Sequence, residues 1–187
     1  LILALIMRQI VFERLRQIIH QDKSMNWADS PFMVLDLETT SKIPCSDFTR
    51  PVQIGFFIAQ GTENKGRGIT VFDRSQSLQT EVNTIVDPGI ESSPGALKTH
   101  GITDERVRQE CKPIKEAFES LVETITKHRD HPIMMYNSPF DYTLLIQECK
   151  RHGLVLPSLD VLDPMVWARK FYPDRPHRLE DMAKMFG

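Results

Sequence analysis

The chain has 187 residues, with 23 Lys and Arg against 25 Asp and Glu, a formal charge of -2 and 41% hydrophobic content, the profile of one globular domain. That balance excludes a fibre, a disulfide scaffold, a disordered tail and a broadly basic nucleic-acid coat, so any nucleic acid must be handled at a local site. A chain of this length buries roughly 70% of the surface its unfolded form exposes, and its core needs neither staples nor a structural metal.

Ala4, Met7, Val11, Leu15 and Ile18 recur at three- and four-residue steps between Arg8, Glu13, Arg16 and Gln17, which predicts an amphipathic N-terminal helix. Residues 1–25 are read as a helical extension and residues 26–187 as the main domain. Phe32-Met33-Val34-Leu35 is apolar on both faces, as a central strand is. Gln53 to Ala59 predicts a second strand. Gly, Asn, Arg and Ser crowd Gln60 to Ser77, which predicts an exposed hairpin excursion with a basic Lys65 to Arg67 tip. A third strand follows at Glu81 to Val86, closed by Asp87-Pro88-Gly89, so the first three strands form an antiparallel meander.

The period then changes. Ile114, Phe118, Leu121 and Ile125 make one helical stripe within Pro113 to Lys127. His131 to Tyr136 predicts a strand, and Pro139 to His152 a helix with Ser138 as its N-cap. Leu159 to Leu162 predicts a short strand, with helices over Pro164 to Phe171 and Leu179 to Phe186. A meander followed by alternating helices and strands predicts an α/β fold, a mixed sheet with helices packed on it.

Cys45, Cys111 and Cys149 are odd in number, widely spaced and without a C-x-x-C pair, so no disulfide framework or zinc site is expected and the cytoplasm is the expected compartment. The longest apolar run, Leu1 to Met7, is about a third of the ~20 residues that span a bilayer, so membrane insertion and secretion are not expected. The chain opens on Leu1 rather than Met, which suggests a fragment or a trimmed chain, with Met7 and Met25 as conceivable internal starts.

Asp36-Leu37-Glu38 ends the first strand, and strand alternation puts both carboxylates on one face. Two such charges a few Å apart repel unless a divalent cation lies between them, and hard oxygen ligands suit Mg²⁺ and Mn²⁺. Asp141 falls in the first turn of the helix after the fourth strand, where its carboxylate can turn over the end of the sheet or simply complement the helix dipole.

Three segments taken together go further. Phe32-Met33-Val34-Leu35-Asp36-Leu37-Glu38-Thr39-Thr40 resembles the first motif of the DnaQ-like DEDD 3′-to-5′ exonucleases, whose relatives include the proofreading subunit of bacterial DNA polymerase III. Lys98-Thr99-His100-Gly101-Ile102-Thr103 resembles that family's His-Gly-Ile-Thr segment, and Asn137-Ser138-Pro139-Phe140-Asp141 its second motif, in the same order and spacing. The resemblance runs from about Phe32 to Gly187. It implies an RNase H-like fold, a five-stranded mixed sheet flanked by helices, with an acidic site over the C-terminal strand ends. It also implies two Mg²⁺ or Mn²⁺ ions held by Asp36, Glu38 and Asp141 as the metal-binding and catalytic set. Thr39, His100, Asn137 and Phe140 would face the substrate, Phe140 having packing under the sheet as its other role.

The family's third motif is a His, four residues and an Asp in its histidine branch. Here His177-Arg178-Leu179-Glu180-Asp181 has three residues between, the spacing of the tyrosine branch. Pro176 to Gly187 resembles the helix that precedes that motif, which implies that the last His and Asp lie beyond Gly187, with His177 and Asp181 as substitutes otherwise. The expected function is removal of nucleoside 5′-monophosphates from single-stranded 3′ ends, DNA before short RNA, with a polymerase as a possible partner. The rival is a catalytically incomplete module that binds nucleic-acid ends or a polymerase.

Overall fold

The computed structural model of the chain describes residues 31–43, 48–59, 63–64, 69–70 and 78–186. The expected N-terminal helix and the Lys65 to Arg67 tip lie outside the described residues. The elements are β1 (Phe32–Thr39), β2 (Pro51–Ala59), β3 (Glu63–Asn64), β4 (Ile69–Thr70), β5 (Leu78–Ile85), α1 (Pro94–His100), α2 (Asp104–Glu110), α3 (Ile114–Lys127), β6 (Ile133–Met134), α4 (Ser138–His152), β7 (Val161–Leu162), α5 (Pro164–Phe171) and α6 (Leu179–Phe186).

Five strands make one mixed sheet in the order β5-β2-β1-β6-β7, and β3 pairs with β4. β1 runs antiparallel to β2 from Phe32 opposite Ala59 to Thr39 opposite Pro51, with an irregularity between Glu38 and Thr39. β2 is antiparallel to β5, which completes the expected meander. β6 lies parallel to β1 through only two pairs, Met33 with Ile133 and Val34 with Met134, and β7 continues parallel to β6. A parallel neighbour requires a crossover, and α4 supplies it between β6 and β7.

The apolar character of β1 on both faces marks its central place: Phe32, Met33, Val34, Leu35 and Leu37 are all buried. Met33, Leu35 and Leu37 share one face with Ile54, Phe56 and Ile58 of β2. The stripe of α3, Phe118, Leu121, Val122 and Ile125, packs on that face beside Leu144, Leu145 and Cys149 of α4. Among the described residues two smaller clusters flank this core. Val52, Ile85, Ile102 and Val107 seat α2. Tyr136, Ala168, Met182 and Ala183 gather α5 and α6.

Helices α1 and α2 were not expected from the periodicity, although the sequence carries their boundaries. Ser93 accepts from the Ala96 amide, Pro94 takes the first turn, and Gly101 closes α1 in the left-handed region at φ 69°. Thr103 then caps α2 by accepting from Arg106 N–H, with Asp104 and Glu105 in the first turn. Ser138 is not the N-cap that the spacing predicted. It is the first residue of α4, the N-cap is Asn137, and no side chain of that residue caps the helix. An acceptor from further along the chain does so instead.

Candidate active site

Asp36, Glu38 and Thr39 lie in the second half of β1. Leu35 and Leu37 belong to the main core, so alternation sends Asp36 and Glu38 out of the opposite face. Asp36 is 3% exposed, and Glu38 is half-buried.

Asp141 reaches the same stretch from α4. The register between β1 and β6 runs through Met33 and Val34. Leu37 N–H donates to Asp141 Oδ1 at 2.9 Å, with both groups buried. This bond places a carboxylate that is itself 3% exposed on the peptide joining Asp36 to Leu37.

A second tie runs deeper. Asp141, Leu144, Leu145 and Glu148 form the buried stripe of α4, and Glu148 has no exposed surface. Arg50 meets it with two bonds, Nε to Oε1 at 2.8 Å and Nη2 to Oε2 at 3.1 Å. Arg151 also pairs with Glu148 Oε1, and His152 Nε2 lies 3.4 Å from Oε2 in ion-pair range without a hydrogen bond. Arg50 is itself laced to the end of β1: its N–H donates to Thr40 Oγ1 at 3.0 Å and its carbonyl accepts from Thr40 N–H at 2.9 Å. The end of β1 is thus tied to α4 at Asp141 and again through Arg50 and Glu148.

Thr39 Oγ1 donates to Ser41 O at 2.7 Å. His100, the last residue of α1, braces the same point. Ile102 N–H donates to His100 Nδ1 at 3.0 Å, which requires that nitrogen to be bare. The ring proton therefore sits on Nε2 and is donated to Thr39 O at 3.2 Å. Burial pushes the His100 pKa below its ordinary value, against smaller opposing effects from the Thr39 carbonyl and Asp104. Both ring nitrogens are engaged, so the neutral ring braces the Thr39 carbonyl against the Ile102 amide.

Asn137 is exposed and left-handed, at φ 63° and ψ 55°. Phe140 is half-buried and packs against the main core. The bonds described for His177 run to Tyr172 and Tyr136: its Nε2 is 2.9 Å from Tyr172 O, and its own carbonyl accepts from Tyr136 Oη at 2.7 Å. A ring nitrogen beside a carbonyl carries its proton, so Nε2 of His177 is a donor there. Asp181 is half-buried in the first turn of α6.

Sequence reasoning missed Arg50, Glu148 and Asp163. Asp163 accepts from Asn137 N–H at 3.0 Å, Ser138 N–H at 2.9 Å and Met165 N–H at 2.9 Å. Its signal was present, an Asp directly before Pro164 at a helix start. Glu148 offered only the oddity of a charge on an apolar helix stripe.

The donor chemistry fits Mg²⁺ or Mn²⁺. Asp36 and Asp141 are buried carboxylates beside one peptide, with Glu38 two residues after Asp36 on β1, and hard oxygens of this kind would suit such an ion. Among the described residues no group of three or more His, Cys, Asp or Glu is gathered closely enough to hold an ion.

The family model described as Exonuclease, of the RNase T type, matches residues 33–187. The PolC-type DNA polymerase III of Streptococcus sanguinis strain SK36 is 27% identical over 170 residues, covering 90% of this chain and 10% of that protein. Its counterpart in Streptococcus suis strain 98HAH33 is 29% identical over 161 residues, covering 86% and 10%. The chain therefore spans about a tenth of the length of these relatives. Among solved structures, E. coli exonuclease I in complex with a dT13 oligonucleotide superposes with a TM-score of 0.64 at 19% identity, over 83% of this chain and 35% of that one. An exonuclease I complex with the SSB C-terminus gives the same TM-score, 0.64, at 18% identity, over 83% of this chain and 36% of that one. With a five-stranded mixed sheet of RNase H-like form and a family match across most of its length, the chain belongs to the DnaQ-like DEDD 3′-to-5′ exonuclease family.

Proposed function

We propose that this domain, residues 26–187, is a Mg²⁺- or Mn²⁺-dependent 3′-to-5′ exonuclease that releases nucleoside 5′-monophosphates from single-stranded DNA. The observation that carries the reading is the bond from Leu37 N–H to Asp141 Oδ1, which holds one buried carboxylate on the peptide that follows a second, Asp36, in the second half of β1. Asp36, Glu38 and Asp141 would hold two ions. Once bound, these cations supply charge neutralisation at the scissile phosphate and a lowered pKa for the attacking water. The chain's own contribution is placement. Asp141 is fixed by the Leu37 amide, the end of β1 by Arg50 and Glu148, and Thr39 by His100. Keeping His100 neutral and internally bonded leaves the Thr39 backbone stiff where the terminal nucleotide would sit. His177 and Asp181 are the residues of this chain nearest to the family's third motif in type.

DNA is favoured because the relatives are DNA polymerases and the neighbouring structure holds dT13. The PolC relatives likewise favour association with a polymerase. Among the described residues no helix is long and apolar enough to cross a membrane, and a cytoplasmic setting follows from the DNA-directed reading. One observation favours the rival, a non-catalytic end-binding module: the carboxylates do not close into a three-ligand group.

Incubation of 5′-labelled single-stranded DNA with the chain and Mn²⁺, beside an Asp36→Ala control, separates the two. Stepwise shortening that the control abolishes supports the exonuclease. Retained DNA binding without shortening, together with no Mn²⁺ uptake by calorimetry, would establish the binding module.

A further inference from the structure

Asp163 lies outside the carboxylate set, yet its side chain accepts three backbone N–H groups. Two belong to Asn137 and Ser138, at the start of α4, and one to Met165, in the first turn of α5. Two helix N-termini thus converge on one anion, where their partial positive charges favour it. α4 has no cap of its own, since Asn137 makes no side-chain capping bond. Asn137 is also the one non-glycine residue with positive φ among the described residues, a conformation that persists only when its surroundings impose it.

We propose that Asp163 is a positioning residue for the reaction: by clamping the Asn137–Ser138 turn it sets the height and rotation of α4, and so the place of the Asp141 carboxylate at Leu37 N–H. Ser138 and Asp141 are three residues apart on one turn of helix. A shift of the Ser138 amide therefore carries the Asp141 side chain with it. The catalytic consequence rests on the exonuclease reading, whereas the positional one does not.

The test uses the full chain with Asp163→Ser, which retains a good cap for α5 through Met165 N–H but is too short to hold the turn. Asp163→Asn is the second variant, keeping the shape but losing one acceptor oxygen, should the first not fold. Amide exchange followed by NMR reads Leu37 N–H against Val86 N–H, which bonds to Val52 O at 3.0 Å on the far side of the sheet. Leu37 is expected to exchange about tenfold faster or more, with Val86 unchanged. Asn137→Gly added to Asp163→Ser is expected to return part of the protection, because glycine enters the left-handed region without the clamp. In the nuclease assay kcat should fall on the order of 10²-fold with KM nearly constant. Unchanged Leu37 exchange in the folded variant, or exchange that Asn137→Gly leaves just as fast, would overturn the proposal. Faster Leu37 exchange in a chain whose unaltered form cleaves no DNA would uphold the positioning and remove the exonuclease reading instead.

Discussion

Glu148→Ala is the substitution with the sharpest expected effect on stability. The carboxylate is wholly buried and faces Arg50, Arg151 and His152. Removing one member of a buried ion pair typically costs about 3–5 kcal/mol, because the partner is left charged and desolvated. Arg50 and Arg151 keep 21% and 28% of their side-chain surface exposed, so water relieves part of that penalty and about 2–3 kcal/mol is expected. For a chain of this size, that corresponds to roughly 4–12 °C in Tm. Arg50→Ala should cost less, about 1–2 kcal/mol, since Glu148 keeps Arg151 and His152. The order follows from geometry: the acid is shared and the base is not. Urea unfolding at constant m reads both values from the shift in midpoint. Equal losses in the two variants, or a Glu148→Ala loss under about 1 kcal/mol, would refute the idea that Glu148 is the hub of the cluster.

Two further outcomes follow from buried groups. His100 should titrate below 6.5 and hold its Nε2–H tautomer above that pH, as seen in ring-nitrogen NMR shifts. The sign is set by linkage: the unfolded chain binds this proton more readily, so the His100 contribution is intact above about pH 6.5 and falls as pH drops below it. A midpoint above 6.5 would contradict the brace. The Cys149 thiol is pushed up to about 11 by burial and by neighbouring Glu148. Thiol reagents at pH 8 should therefore label half-buried Cys111 before Cys149, and reach Cys149 only on unfolding, by mass spectrometry. Equal labelling rates in the folded chain would count against that.

The periodicities of Phe32 to Leu35 and of Ile114 to Ile125 were legible because both segments carry their burial in their own spacing. The Asp36 and Glu38 face was legible for the same reason. α1 and α2 were harder, since seven-residue helices show too few turns to establish a period and must be read from Ser93, Gly101 and Thr103 instead. What no local pattern contains is the set of partners. Arg50 meets Glu148 across 98 positions and Asp163 meets Asn137 across 26, and both pairings are consequences of the crossover that brings α4 against β1. The Ser138 expectation failed on this point, because a neighbouring segment had already supplied the acceptor.

The small cluster of Tyr136, Ala168, Met182 and Ala183 has a thermal consequence. α5 and α6 have eight residues each, too few to persist as isolated helices, and they rest on this satellite core. Their opening can cost less than disrupting the sheet, as independent cooperative units do. One such event would release both the Asp163 carboxylate and the Tyr136 bond to His177, since each joins this region to the end of β6 or the start of α4. Warming is then expected to blur the site while the sheet beneath it is still intact, so the working temperature of the chemistry is set by a satellite core.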